Sequence, residues 1–174
     1  MEIAYVGVGS NLDEPGVRVA QALEALHTLP RTRVQAVSSL YRSAPLGVTT
    51  QPDFINAAAR LHTGLAAHAL LGQLQALETT AARRRDGVRW GPRRLDLDLL
   101  LYGEQRIADA ELMVPHPELH RRAFVLLPLL ELEPSLCAPG LGALAEFTAA
   151  VATQRVERLV PGVARAGCSS SPTS

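Results

Sequence analysis

Apolar and polar positions change period along this chain, and the changes predict its elements. Ile3 to Asn11 (IAYVGVGSN) is rich in β-formers and ends in Gly-Ser-Asn, which predicts a strand running into a loop. Asp13 then offers an N-cap, with Pro15 near the first turn. Val19, Leu23, Leu26 and Leu29 recur at helical spacing to about residue 29, and Pro30 ends that helix. Arg33 to Ser43 (RVQAVSSLYRS) alternates loosely as a second strand, and residues 44 to 52 (APLGVTTQP) carry loop punctuation. Phe54 to Thr63 (FINAAARLHT) is the third strand, although alanine is a poor strand former. Leu70, Leu71, Leu74 and Leu77 mark one face of a second helix over about 66–82. An arginine-rich loop over 83–93 leads into a fourth strand, about Leu95 to Tyr102, and Gly103 starts a turn. VPHPELHRRAFVLLPLLELEP predicts a short helix and then a longer one with Pro128 near its start, and Leu141 to Val151 a further helix.

Strand, helix, strand, strand, helix, strand is the order of a split βαβ unit. The expected class is α+β, ferredoxin-like (βαββαβ), with a mostly antiparallel sheet, helices on one face and extra C-terminal helices. One domain is expected over 1–165, with SSSPTS ending a disordered tail over 166–174.

Composition narrows the chemistry. The 174 residues suffice for one core, and 47% hydrophobic content fits a globular chain. Formal net charge is zero, so no global field gathers nucleic acid or a membrane surface. There is no lysine, which excludes a Walker A loop, a Schiff-base lysine and Ser-Lys chemistry. Any bound anion must be met by arginine, histidine, backbone N–H groups or a metal. Cys137 and Cys168 are too distant and isolated to suggest a disulfide framework or zinc cluster. The opening MEIAYVGVGS lacks the basic and apolar regions of a signal peptide, and no run approaches a membrane span, so a cytoplasmic protein is expected.

Asp96 and Asp98 (LDLDLL) stand out. A strand's period of two puts both on one face and Leu95, Leu97 and Leu99 on the other, with the aspartate Cα atoms about 6.6 Å apart. Paired carboxylates repel, and a hard cation such as Mg²⁺ between them removes the repulsion. On its own the alternation favours an ordinary strand with one solvated face, and the context shifts that balance. Just upstream lie Arg83, Arg84, Arg85, Arg89, Arg93 and Arg94. They read as a solvated basic turn, a nucleic-acid contact or a flap whose guanidiniums clamp a polyphosphate. A polyphosphate accounts for arginines and metal-binding carboxylates together. His116, between two prolines and close to Arg121 and Arg122, is a further phosphate candidate. A non-catalytic RNA-binding sheet would carry exposed aromatics on adjacent strands, and residues 3–11 and 95–102 carry only Tyr5 and Tyr102.

AYVGVGSNL, SSLYRSAPLG, QPDFINAA, RWGPRRLDLDLL and VPHPELHRRAFVLLPL, in that order from about Ile3 to Pro134, resemble the 6-hydroxymethyl-7,8-dihydropterin pyrophosphokinase family of folate biosynthesis. The resemblance implies transfer of pyrophosphate from ATP to the pterin's hydroxymethyl group, releasing AMP. It implies that Asp96 and Asp98 bind two Mg²⁺ ions, and that Arg83 and Arg93 join them as catalytic groups. It gives the pterin Ser43, Ala44, Leu46, Phe54, Asn56, Trp90 and Phe124, the two phenylalanines sandwiching the ring. It gives ATP Gln75, Glu78, Arg83, Arg85, Trp90, Arg93, Leu99, His116 and Arg122. The expected partners are these two small molecules, with no nucleic acid or membrane, and the expected state is a monomer. Members often carry tyrosine at the place of Phe54. Glu111, Met113 and Pro117 replace arginine, threonine and tyrosine of some members, and His120 stands about where some relatives have lysine.

Overall fold

β1 (Glu2–Ser10) lies inside the sheet, paired antiparallel with β4 (Phe54–Thr63) on one side and β5 (Asp96–Tyr102) on the other. The computed structural model describes residues 1–47, 50–86 and 95–159, with backbone alone for 83–86. β2 (Thr32–Val37) and β3 (Leu40–Ser43) both pair with β4, and β10 (Val156–Leu159) pairs with β3. All of these pairings are antiparallel. Taking β2 and β3 as one bent strand, the order across the sheet is second, third, first, fourth, which is the ferredoxin-like arrangement the element order predicts.

The bend between β2 and β3 has a local cause. Ser38 donates its N–H to the Ala58 carbonyl, and its Oγ accepts the Ala58 N–H, each at 2.8 Å. A hydroxyl thus stands in for a strand carbonyl, and the chain turns without leaving its partner. The single strand expected over 33–43 is therefore two.

α1 (Pro15–Ala25) and α2 (Ala67–Asp86) pack on one face. Val19, Leu23 and Leu26 and, from α2, Leu70 and Leu74 are buried there against Val6, Val8, Ile55, Ala57, Ala59, Leu97 and Leu99. Asp13 is not the N-cap. Glu14 takes that place at φ 55 without a side-chain capping bond, and the Asp13 carboxylate lies 3.6 Å from the Arg18 guanidinium. Residues 26–28 tighten into a 3-10 turn before Pro30. α2 runs to Asp86, so Arg83 to Arg85 belong to a helix end rather than to the expected loop.

The other face is covered as well, which corrects the expectation of helices on one face. α3 (Ala123–Leu132) buries Ala123, Leu126 and Leu129 against Tyr5, Ala58, Leu100 and Leu101. Pro128 sits in the middle of α3 rather than near its start, and it removes the bond an N–H there would make to the Phe124 carbonyl. Residues 117–121 form hydrogen-bonded turns instead of a short helix: Leu119 N–H donates to His116 O, and Arg121 N–H to Glu118 O. Small two-stranded ladders join β6 (Ile107–Ala108) to β7 (Met113–Val114), and β8 (Cys137–Ala138) to β9 (Gly142–Ala143). The helix expected over 141–151 is β9 followed by two 3-10 turns, Leu144–Phe147 and Ala149–Val151. Gly142 at φ 82 and the small residues around it suit the hairpin better than a continuous helix. The tail expected over 166–174 lies outside the described residues.

Candidate active site

Glycine and alanine clear the floor of this site. Gly7 and Gly9 point toward the α3 side of the sheet, where Gly7 pairs with Asp98 and Ala58, and Gly9 with Asp96 and Asn56. An added Cβ on Gly9 would lie 3.0 Å from Asn56 Oδ1, and one on Gly7 would lie 3.3 Å from Leu100. Alternation in VGVGS therefore does two jobs: the valines fill one core, and the glycines open a cavity on the opposite face.

The cavity encloses about 270 Å³. Its lining includes Ala44, Pro45, Leu46, Gln51, Phe54, Asn56, Asp96, Asp98, Arg122 and Phe124. Seven of these were expected to meet a pterin or metal, from segments distant in sequence; the fold brings them to one hollow. Asn56 is only 4% exposed, and its Nδ2 donates to the Oγ of buried Ser43 at 2.8 Å. That bond fixes the amide's rotamer beside the cavity. Phe54 and Phe124 are half-buried, and the Arg122 guanidinium carbon stands 5.9 Å from the Phe124 ring centre, at cation–π range.

Asp96 is half-buried and Asp98 exposed, while Leu95, Leu97 and Leu99 are buried, as strand alternation predicts. The β1–β5 register skips Leu100, a bulge that turns both Leu100 and Leu101 toward the α3 side just past the aspartates. Among the described residues no group of three or more His, Cys, Asp or Glu could hold a metal ion. The chain's share here is a carboxylate pair. That suits Mg²⁺, which is commonly bound by one or two carboxylates with phosphates and water completing an octahedron.

Of the expected nucleotide residues, Leu99 lies on β5, and Glu78 and His116 are hydrogen-bonded to it. Glu78 accepts the Leu97 N–H at 2.7 Å, so its carboxylate ties α2 to the strand edge between the aspartates. Gln75 lies exposed one turn earlier on α2. Leu99 is 3% exposed with its side chain in the core, which leaves its backbone as the part a ligand could meet. His116 donates its N–H to Leu100 O at 2.9 Å. Its ring Nδ1 accepts the Glu118 N–H at 3.2 Å, so the neutral ring carries its proton on Nε2 and presents a donor there. Burial holds the His116 pKa below the usual histidine value; the nearby Asp98 and Glu118 charges oppose the shift and Arg122 adds to it. Trp90 and Arg93 lie outside the described residues, as do the side chains of Arg83 and Arg85.

Gly7, Gly9 and Gln51 were not among the expected site residues. The signal for the glycines was present in the sequence as a G-x-G alternation inside a strand, where each glycine weakens the strand unless something must approach it closely.

The family model for 7,8-dihydro-6-hydroxymethylpterin-pyrophosphokinase (HPPK) matches residues 5–134. A 2-amino-4-hydroxy-6-hydroxymethyldihydropteridine pyrophosphokinase of Pseudomonas aeruginosa is 51% identical over 158 residues, covering 91% of this chain and 96% of its own. The enzyme of that name from Haemophilus influenzae is 40% identical, covering 92% of this chain and all (100%) of its own. Among solved structures, an HPPK-DHPS crystallised in complex with substrates superposes with a TM-score of 0.69 at 11% identity. The match covers 86% of this chain and 43% of that one, and it shows the shared fold. With this fold, this cavity and these relatives, the chain belongs to the 7,8-dihydro-6-hydroxymethylpterin-pyrophosphokinase family, ATP-dependent diphosphotransferases of folate biosynthesis.

Proposed function

We propose that this chain transfers the β,γ-pyrophosphoryl group of ATP to the hydroxymethyl group of 6-hydroxymethyl-7,8-dihydropterin by in-line attack at the β-phosphorus, acting as a cytoplasmic monomer. The observation that carries this reading is one cavity lined by both the aspartate pair and the aromatic pair: Asp96, Asp98, Phe54 and Phe124. A flat ring held between the phenylalanines is gripped on its faces. Asn56 then meets its polar edge with both a donor and an acceptor, and Ala44, Pro45 and Leu46 line the same cavity. A ring so held places its substituent toward the aspartates, which share its cavity.

Asp96 and Asp98 are the residues that would hold two Mg²⁺ ions, whose contribution when bound is to neutralise phosphate charge and align the triphosphate. The pterin hydroxyl oxygen bonds to the β-phosphorus, the bond from that phosphorus to the α-phosphate oxygen breaks, and AMP leaves; the hydroxyl proton passes to solvent. In this proposal His116, through its Nε2–H, and Arg122 donate to phosphate oxygens. Arg83, Arg85, Arg93 and Trp90 complete the nucleotide site in this proposal, with Arg83 and Arg93 stabilising the transferring group. Incubation with ATP, Mg²⁺ and the reduced pterin should release AMP in step with pterin consumption. Release of ADP instead would replace pyrophosphoryl transfer by phosphoryl transfer.

A further inference from the structure

The two walls of the cavity are carried by segments far apart in sequence, and one dipeptide holds both. Gln154 accepts the Ala123 N–H on its Oε1 at 2.9 Å and donates from Nε2 to the Arg121 carbonyl at 2.8 Å. It thereby caps the start of α3, from which Arg122 and Phe124 enter the cavity. Arg122, at the N-cap position, makes no side-chain capping bond of its own. The neighbouring Arg155 reaches the other wall. Its carbonyl accepts the Ala44 N–H at 3.4 Å, and its guanidinium meets the Asp53 carboxylate at 3.1 Å and 3.3 Å. Ala44 lines the cavity, and Asp53 directly precedes Phe54. β10 begins at the next residue and pairs Val156 with Ser43, the partner of Asn56, so the dipeptide is itself held by the sheet.

We propose that Gln154 and Arg155 are positioning residues for the pterin: they set the separation and tilt of the Phe54 and Phe124 walls and act on the ring only through those walls. Neither touches the cavity. Both lie beyond residue 134, where the family match ends. The proposal rests on the reading of this cavity as a pterin site. Gln154 carries most of the effect, because it replaces a terminal helix bond in a part-buried setting. The Arg155–Asp53 pair is solvent-screened, and its share is smaller.

The test measures pterin and ATP steady-state constants, direct binding of 6-hydroxymethylpterin, and amide exchange across 121–126 in wild type, Gln154→Ala, Gln154→Glu and Arg155→Ala. Gln154→Ala should raise the pterin KM and dissociation constant about tenfold, the size a lost part-buried hydrogen bond commonly takes. The KM for ATP should move by less than about twofold to threefold, and exchange at Ala123 should quicken. Gln154→Glu keeps the acceptor for Ala123 and should recover much of the pterin affinity. Arg155→Ala should weaken pterin about twofold to threefold, within what an exposed pair contributes. A folded Gln154→Ala chain with unchanged pterin affinity overturns the proposal. So does a loss shared equally by both substrates, which marks a general loss of folded enzyme. If the wild-type chain binds no pterin, the functional reading fails by itself, and slower or unchanged exchange at Ala123 in Gln154→Ala overturns the clamp separately.

Discussion

Glu78 accepts the backbone N–H of Leu97 at 2.7 Å, and Leu97 sits between the two aspartates of the site. β5 is an edge strand, so that N–H points away from β1 and needs a partner outside the ladder. Family resemblance assigns Glu78 to the nucleotide; geometry gives it a structural bond first. Glu78→Ala should therefore cost stability, by about 1.5–3 kcal/mol for a charge-assisted hydrogen bond, and lower turnover because Asp96 and Asp98 lose their rigid mount. Urea denaturation alongside the AMP assay checks this. A variant of unchanged stability with ATP binding selectively lost would return Glu78 to a purely ligand-facing role.

The carboxylates themselves give a sharper result. Asp98 is exposed and Asp96 half-buried, so replacing either by asparagine leaves the packing of Leu97 and Leu99 untouched. Asp96→Asn and Asp98→Asn should each lower the AMP-releasing rate at least about a hundredfold, the scale seen when one transition-state electrostatic partner is removed. Thermal melting should stay within a few degrees of wild type, in keeping with the small effect of surface changes. Raising Mg²⁺ should restore part of the rate if the lost carboxylate held metal. A variant retaining near-normal turnover at low Mg²⁺ sinks the metal role of that residue.

Much of this site was legible in the sequence because a strand's period of two is rigid. Period two could only separate Asp96 and Asp98 from Leu95, Leu97 and Leu99, and the structure buries those three leucines accordingly. Val19, Leu23, Leu26 and Leu29 likewise fall buried at their helical spacing. What pattern did not give was anything decided by a single hydrogen bond or by tertiary pairing. The break at Ser38 depends on where Ala58 lies across the sheet. β10 is four residues, Val-Glu-Arg-Leu, too short and polar to declare itself before β3 is there to pair with it. The apolar stripe of α3 indicated a helix but not which face of the sheet it covers, and that placement is what makes Phe124 and Arg122 a wall of the cavity.

Gly9 tests whether the cavity floor must be bare. A Cβ there would lie 3.0 Å from Asn56 Oδ1, and Asn56 is held in place by its 2.8 Å bond to Ser43. The amide has to move, and with it the group proposed to read the pterin edge. Gly9→Ala should weaken pterin binding about tenfold or more and cost about 1–3 kcal/mol in stability. Gly7→Ala meets only the flexible end of Leu100, at 3.3 Å, and should be milder on both counts. Fluorescence titration with the pterin ranks the two; equal effects, or a harsher Gly7 variant, contradict the role given to Asn56.

Glu131 ties α3 to the sheet edge, and its titration makes that tie depend on pH. Its carboxylate accepts the Ser39 N–H at 3.0 Å, the Ser39 hydroxyl at 2.8 Å and the Tyr41 hydroxyl at 2.5 Å, and Arg158 of β10 approaches at 3.2 Å. Burial alone would raise its pKa, but the bonds from Tyr41 and Ser39 and the Arg158 charge together outweigh burial and hold it below the ordinary 4.5. A carboxyl more acidic when folded binds fewer protons folded than unfolded. Its stabilisation is therefore complete above pH 4.5 and is lost as the pH falls from there through the folded value. Glu131→Gln keeps the shape and gives up the charge. The stability gap between wild type and Glu131→Gln, read by urea denaturation, should be constant from pH 7 to about 5 and close as the pH drops toward 3. Other acid-sensitive groups, Asp109 and His116 among them, are common to both chains and cancel in that difference. A gap that stays constant through acid would mean that the Glu131 charge adds nothing to the hydrogen bonds, and that α3 is held to β3 by shape and neutral bonding alone.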